Sequence, residues 1–209
     1  MERTISGMVG KGSVNHNTRA FTAKNVDSDR SGANVHFCNE DIKQVYHKLF
    51  DEALERYNAK QKRKDRVIDD YYEKIRQGKQ EKLFHEVIFQ IGNKDDMNAK
   101  SEEGLLAKKI LTEFMDEFQA RNPNLYVLSA HLHMDEETPH LHIDFVPYIT
   151  GSKRGLDTRV SLKICIGCRG VYRWNERCYR VESMDCSREA GTCYSHGAIW
   201  CGMVAKRYT

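Results

Sequence analysis

The chain has 209 residues, 40% of them hydrophobic and 30% charged. That balance fits one globular domain with a real core and a tail, and no apolar run reaches the roughly 20 residues that a membrane helix needs. Net charge is +3, from 33 basic and 30 acidic residues, which permits a local nucleic-acid-binding patch without arguing for one.

The N-terminus, MERTISGMVGKGSV, lacks the apolar stretch of a signal peptide, so a cytoplasmic protein is expected. Residues 3–9 read as a first strand. A polar loop follows and holds Asn15-His16-Asn17-Thr18-Arg19. An isolated histidine in such a loop is ordinarily a solvated one, and local sequence gives His16 no role. A second loop carries Asp27-Ser28-Asp29-Arg30-Ser31, and Val35-His36-Phe37-Cys38 reads as a short strand.

Asn39 is the expected cap of a helix that runs from Ile42 to about Gln77. Val45, Leu49, Leu54, Tyr57, Ile68, Tyr71, Tyr72 and Ile75 form its apolar stripe, near the 3.6 period with some slippage. The basic run Lys60 to Arg66 reads first as a solvated helical face, with a phosphate-binding patch as the alternative. Gly78 stops the helix. Leu83 to Gly92 reads as a strong strand and Glu102 to Gln119 as a second amphipathic helix, which Asn122-Pro123-Asn124 ends. The order predicts an antiparallel central sheet with helices packed on one face.

The stretch His131 to Pro147, HLHMDEETPHLHIDFVP, concentrates the chemistry. As extended chain it sets His140, His142 and Asp144 on one face and Leu141, Ile143 and Phe145 on the other. His131 and His133 share a face by the same rule. Between them lies the turn material Asp135 to Pro139. Paired as a hairpin, the two strands aim their imidazoles at one point, with carboxylates nearby, and that makes a divalent-metal site. Pro139 forbids a helix here, so helical zinc-protease spacing is excluded. The cleanest ligand set is His133, His140 and His142, with His131 in support. Glu136 or Glu137 completes the site or acts as a base. Imidazoles suit Mn²⁺, Co²⁺ or Zn²⁺ better than Mg²⁺. Mn²⁺ is the expected ion, Mg²⁺ the second candidate, and no small-molecule cofactor is expected.

His133-Met134-Asp135-Glu136-Glu137-Thr138-Pro139-His140-Leu141-His142, closed by Val146-Pro147, resembles the third motif of the MobV-class plasmid mobilisation proteins, also called Pre or plasmid recombination enzymes. These are relaxases of the HUH superfamily, and His140-Leu141-His142 is similar to its signature. His16-Asn17-Thr18-Arg19 resembles the family's first motif, and Arg30-Ser31 with Asn34 a second. The resemblance runs from about Met1 to Lys163. It implies an α+β, HUH-relaxase-like domain over residues 1–163 that nicks and rejoins one DNA strand at a plasmid origin of transfer. It implies that His16 is the nucleophile and that a covalent 5′-phospho-enzyme forms. By the same resemblance Arg19 orients the phosphate or holds His16, and the motif residues Arg19, Arg30 and Asn34 contact DNA; Lys153 and Arg154, with Arg159, are candidates for DNA-backbone contacts on their basic character alone. The expected partners are single-stranded or hairpin origin DNA and a conjugation coupling protein. The rival nucleophiles are helical tyrosines, Tyr71-Tyr72 foremost.

After Lys163 the character changes. Periodicity is lost, and Cys165, Cys168, Cys178, Cys186, Cys193 and Cys201 crowd residues 164–209. This atypical Cys-rich tail reads as a zinc module, a divergent tail or, the favoured reading, a frameshift product expected to pack poorly. The alternatives to a relaxase are a non-catalytic DNA-binding remnant and a cupin-like metalloenzyme.

Overall fold

The computed structural model describes residues 5–162 of the chain. The tail, with all three readings of it, lies outside the described residues. Five strands form an antiparallel sheet: β1 (Ile5–Val9), β2 (Val35–Asn39), β3 (His85–Ile91), β4 (Leu125–His133) and β5 (His140–Ile149). Their spatial order is β1-β3-β5-β4-β2, so the histidine hairpin β4–β5 sits in the middle. A short sixth strand, β6 (Arg159–Val160), pairs with Tyr148 and Ile149 at the end of β5.

Four helices accompany the sheet: α1 (Val14–Asn17), α2 (Ile42–Ala59), α3 (Tyr71–Gln77) and α4 (Glu102–Arg121). Helix α4 buries Ala107, Ile110, Leu111, Phe114 and Phe118, the spacing of one helical face. They pack on Val87, Phe89, Leu141, Ile143 and Phe145 of the sheet. Phe118 and Leu111 are fully buried, and each such side chain contributes about 1.5–3 kcal/mol.

The expectation of helices on one face is corrected here. Helices α2 and α3 pack through Val45, Tyr46, Phe50, Ala53 and Tyr71 on Leu128 and Val146. Val146 alternates with Phe145, so this second core lies on the opposite face from α4. It covers only one end of that face. The other end carries His133, His140 and His142 and is covered by the N-terminal loop.

The single helix expected over residues 42–77 is two. Asn58 accepts from the Ile68 amide and donates to the Ile68 carbonyl, at 3.0 and 2.8 Å, clamping the chain between them into a loop. The basic run therefore lies off the helices, with Lys64–Arg66 in a 3-10 turn. Asp70 restarts the helix by accepting from the Glu73 amide. The cap of α2 is Asp41, not Asn39: its carboxylate accepts from the amides of Lys43 and Gln44.

One irregularity sets the site. Val127 pairs with Phe145 but Ser129 pairs with Asp144, so Leu128 is an extra residue, a β-bulge. Strict alternation from Leu125 would put His131 and His133 on the same face as Leu125 and Val127, against α4. The bulge reverses the alternation. Ala130 and Leu132 take the α4 face, while His131 and His133 stand across from His142 and His140 on the other.

Candidate metal centre

Three imidazoles are fixed by strands β4 and β5. Ring centroids are 4.8 Å apart for His133 and His142, 4.9 Å for His140 and His142, and 5.3 Å for His133 and His140. Each ring is pinned by one nitrogen to an oxygen that can only accept. His133 Nε2 donates to the Asn17 carbonyl at 2.9 Å, His140 Nδ1 to the Thr138 carbonyl at 2.8 Å, and His142 Nδ1 to Glu86 Oε1 at 2.7 Å. This fixes the tautomers and leaves the lone pairs on His133 Nδ1, His140 Nε2 and His142 Nε2. His133 Nδ1 and His142 Nε2 are buried and have no hydrogen-bond partner.

Unpartnered buried acceptors on outward-braced imidazoles are what a metal site requires, and the brace is the usual outer support of a metal-bound histidine. The donors therefore fit a divalent ion. Among the described residues, two sets have all ligand atoms within 4.8 Å of one another: His16, His133 and His142, and His133, Glu136 and His140. Burial, with His142's charge next, drives the His133 imidazole down to about 2, so it stays neutral and able to ligate. His140 is lowered for the same two reasons.

Glu86, which local sequence shows only as one position of an apolar strand, is the main brace. It is buried, and accepts from His142, from Asn17 Nδ2 at 2.8 Å and from the Gly12 amide at 2.7 Å. Burial works against its ionisation, but these hydrogen bonds hold its carboxyl below the usual range. Asp144 stands opposite it in register and is pushed up to about 6, by burial first and then by the charge of Glu86. Gly10 and Gly12 let the loop approach Glu86: a Cβ on Gly10 would collide with the carboxylate, and Gly12 has φ +74°. The one local signal is a carboxylate at a core position of a strand, which demands a partner. Asn17, fully buried, joins Glu86 and Asp144 through its amide.

His16 reaches the cluster on α1, with centroids 5.6 Å from His142 and 5.7 Å from His133. Arg19 Nη1 stands 3.3 Å from His16 Nε2. A guanidinium has no acceptor, so the nitrogen it faces carries the lone pair. Burial, and then the Arg19 charge, lower the His16 pKa below its ordinary value, which keeps the ring neutral near pH 7. Arg19 holds a left-handed backbone, φ 58°, and also binds Asp135 and, at 2.9 Å, Glu136 Oε1.

Glu136 faces the cluster, 3.5 Å from His16 Nε2 and 3.7 Å from His140 Nε2, whereas Glu137 is exposed. Asp135 accepts from Arg19, Asn34 and Ser31. Burial opposes its ionisation, but those bonds hold its carboxyl far below the usual range.

Arg30 and Asn34, expected on DNA, are half-buried and bond within the protein. Arg30 donates to the carbonyls of Met134 and Glu136, and Asn34 bonds Asp135 and the Met134 amide. They fasten the β4–β5 link. His131 is turned aside to His36 and Ser129, at 2.7 and 3.0 Å. Lys153 and Arg154 are exposed beyond the far end of β5, about 23 Å along the strand from His142 at 3.3 Å per residue. Tyr71 is also remote: it is buried in the second core and its hydroxyl accepts from the Val160 amide at 3.2 Å.

A profile of the family described as plasmid recombination enzyme matches residues 38–161, a span that holds Glu86 and the histidine hairpin but not His16. Solved structures similar to this chain include the MobM relaxase domain, MOBV, bound to 22 nucleotides of plasmid pMV158 oriT DNA in an Mn-bound crystal. Its identity to this chain is 23%, with 77% of this chain and 75% of that chain covered and a TM-score of 0.42. A second crystal of the same relaxase domain, with 23 nucleotides, covers 90% of this chain and 94% of that chain at 18% identity and a TM-score of 0.41. No curated protein matches.

Proposed function

The chain belongs to the plasmid recombination enzyme family, and on that premise we propose that it is a metal-dependent relaxase that cuts and rejoins one strand of plasmid origin DNA through His16. The observation that carries this reading is the meeting of a loop-borne neutral imidazole with three strand-braced imidazoles whose lone pairs face inward.

His16 Nε2 attacks the scissile phosphorus, the bond from phosphorus to the 3′ oxygen breaks, and that oxygen takes a proton from solvent. The 5′ phosphate stays on His16, and the reverse step rejoins the strand. Because Nε2 already presents its lone pair, no general base is needed for the attack. Glu136 then serves as a ligand and as an anchor for Arg19, and Arg19 keeps the His16 tautomer and stands ready for a phosphate oxygen. His133, His140 and His142, with Glu136, would hold the ion. When bound, a divalent ion supplies positive charge against the phosphate oxygens. The imidazole-rich set favours Mn²⁺.

We place the relaxase domain in residues 1–163 and the atypical tail in 164–209. Lys153, Arg154 and the basic loop at residues 60–66 belong to a DNA path that starts at His16 and runs the length of the sheet. Arg30 and Asn34 act through the link they fasten. Single-stranded or hairpin origin DNA is the substrate, and a coupling protein is a partner on the route to transfer. A cupin-like enzyme loses its support to an open sheet flanked by helices.

The test is incubation with Mn²⁺ and a single-stranded oligonucleotide spanning the cognate origin, read as a covalent adduct on a denaturing gel. Wild type forms the adduct, His16→Ala does not, and the Tyr71→Phe, Tyr72→Phe double variant does. DNA binding without adduct in the wild type would favour a non-catalytic remnant. A fully active His16→Ala protein would sink the assignment.

A further inference from the structure

The two donor sets share His133 and differ in what they leave behind. A set of His133, Glu136 and His140 leaves His142 Nε2 buried without a partner. A set of His16, His133 and His142 engages both of the orphaned nitrogens, His133 Nδ1 and His142 Nε2. An unmet buried polar atom is costly, so the second set is favoured while the site holds no DNA. The contraction it needs is small. Ligand atoms around one ion stand roughly 3.3 Å apart for metal–nitrogen bonds near 2.1 Å, and these lie within 4.8 Å already.

The origin of each donor matters. His133 and His142 are held by strands and by Asn17 and Glu86. His16 sits on a four-residue helix in a loop, and it is only half-buried. It is the member of the set that can move without disturbing the sheet.

We propose that in the DNA-free protein His16 is itself a ligand of the metal, with His133 and His142, so that the nucleophile is masked until a phosphate takes its place. One lone pair cannot bind an ion and attack phosphorus at the same time. Ligation therefore keeps His16 from reacting with other electrophiles, and arrival of the scissile phosphate both displaces it and presents its target. His140 and Glu136 would then complete the set with His133 and His142. This inference rests on the reading of His16 as nucleophile and of the cluster as a metal site.

The experiment uses the full chain without DNA and Co²⁺ as the probe. His16→Ala should weaken Co²⁺ binding by roughly tenfold or more and shift the visible absorption of the bound ion. In the wild type, diethyl pyrocarbonate labelling mapped by mass spectrometry should show His16 protected by Co²⁺, with exposed His47 labelled equally with and without it. Unchanged affinity and spectrum in His16→Ala, or a His16 labelled equally with and without Co²⁺, overturns the proposal. If that variant keeps full metal affinity yet loses the DNA adduct, His16 remains the nucleophile and only the masking is wrong. A wild-type chain that neither binds Co²⁺ nor forms the adduct removes both.

Discussion

Glu86→Gln is the sharpest probe of how the centre is built. The carboxylate receives three donors: His142 Nδ1 and Asn17 Nδ2 on Oε1, and the Gly12 amide on Oε2. A glutamine has one acceptor oxygen. With that oxygen at the Oε1 position, its amide nitrogen faces the Gly12 N–H, donor against donor. Turned over, it faces His142 and Asn17 instead. The first arrangement is less costly and leaves the half-buried Gly12 N–H and the new amide N–H without acceptors, about 1–3 kcal/mol of stability. It also exchanges a carboxylate brace on His142 for a neutral one, and loss of such a brace lowers metal affinity by about 10–100-fold, or about 1.4–2.7 kcal/mol. Calorimetric titration of Mn²⁺ into the DNA-free variant reads the second effect and thermal melting of the metal-free protein reads the first. A variant that binds Mn²⁺ as tightly as wild type would refute the argument that Glu86 orients His142.

Asp135→Asn should destabilise the fold by about 3 kcal/mol in urea melts, since it removes the more buried of Arg19's two carboxylate partners, Glu136 being the other. The same variant carries a pH signature. The folded Asp135 carboxyl lies below its unfolded value of about 3.9, so its contribution is full above that pH and is lost as pH falls further. Wild type should therefore lose stability more steeply than Asp135→Asn below about pH 4. Mn²⁺ at a hundred times its Kd should raise wild-type stability by about 2.7 kcal/mol, and His140→Ala should abolish most of the rise in Tm. Replacing both Lys153 and Arg154 by Ala should flatten the salt dependence of oligonucleotide binding, by about one unit of slope for each phosphate left without its cation, with little change in short oligonucleotides that reach only His16. Unchanged slopes would take these two residues off the DNA path.

Local sequence determined much of this protein. The apolar periods of β3 and α4, the helix stop at Asn122-Pro123 and the pairing of two His-x-His strands across an acidic link are all set by neighbours within a few residues, and short-range alternation reports them. The ligand candidates His133, His140 and His142 are legible for that reason, and His16 only through resemblance to a family motif. Three decisions belonged to the tertiary structure. The clamp between Asn58 and Ile68 broke a stripe that reads as one helix, because a side chain can satisfy backbone groups ten residues away. Glu86 and Asn17 became braces only when β3 and the N-terminal loop were laid beside β5, across separations that no local pattern encodes. And the hairpin's own chemistry depended on Leu128. Without that bulge, period-two alternation from Leu125 turns His131 and His133 into the α4 core; with it, the same residues meet His140 and His142 on the face where His16 arrives. Alternation gives which residues share a face, and the sheet's register decides which face that is.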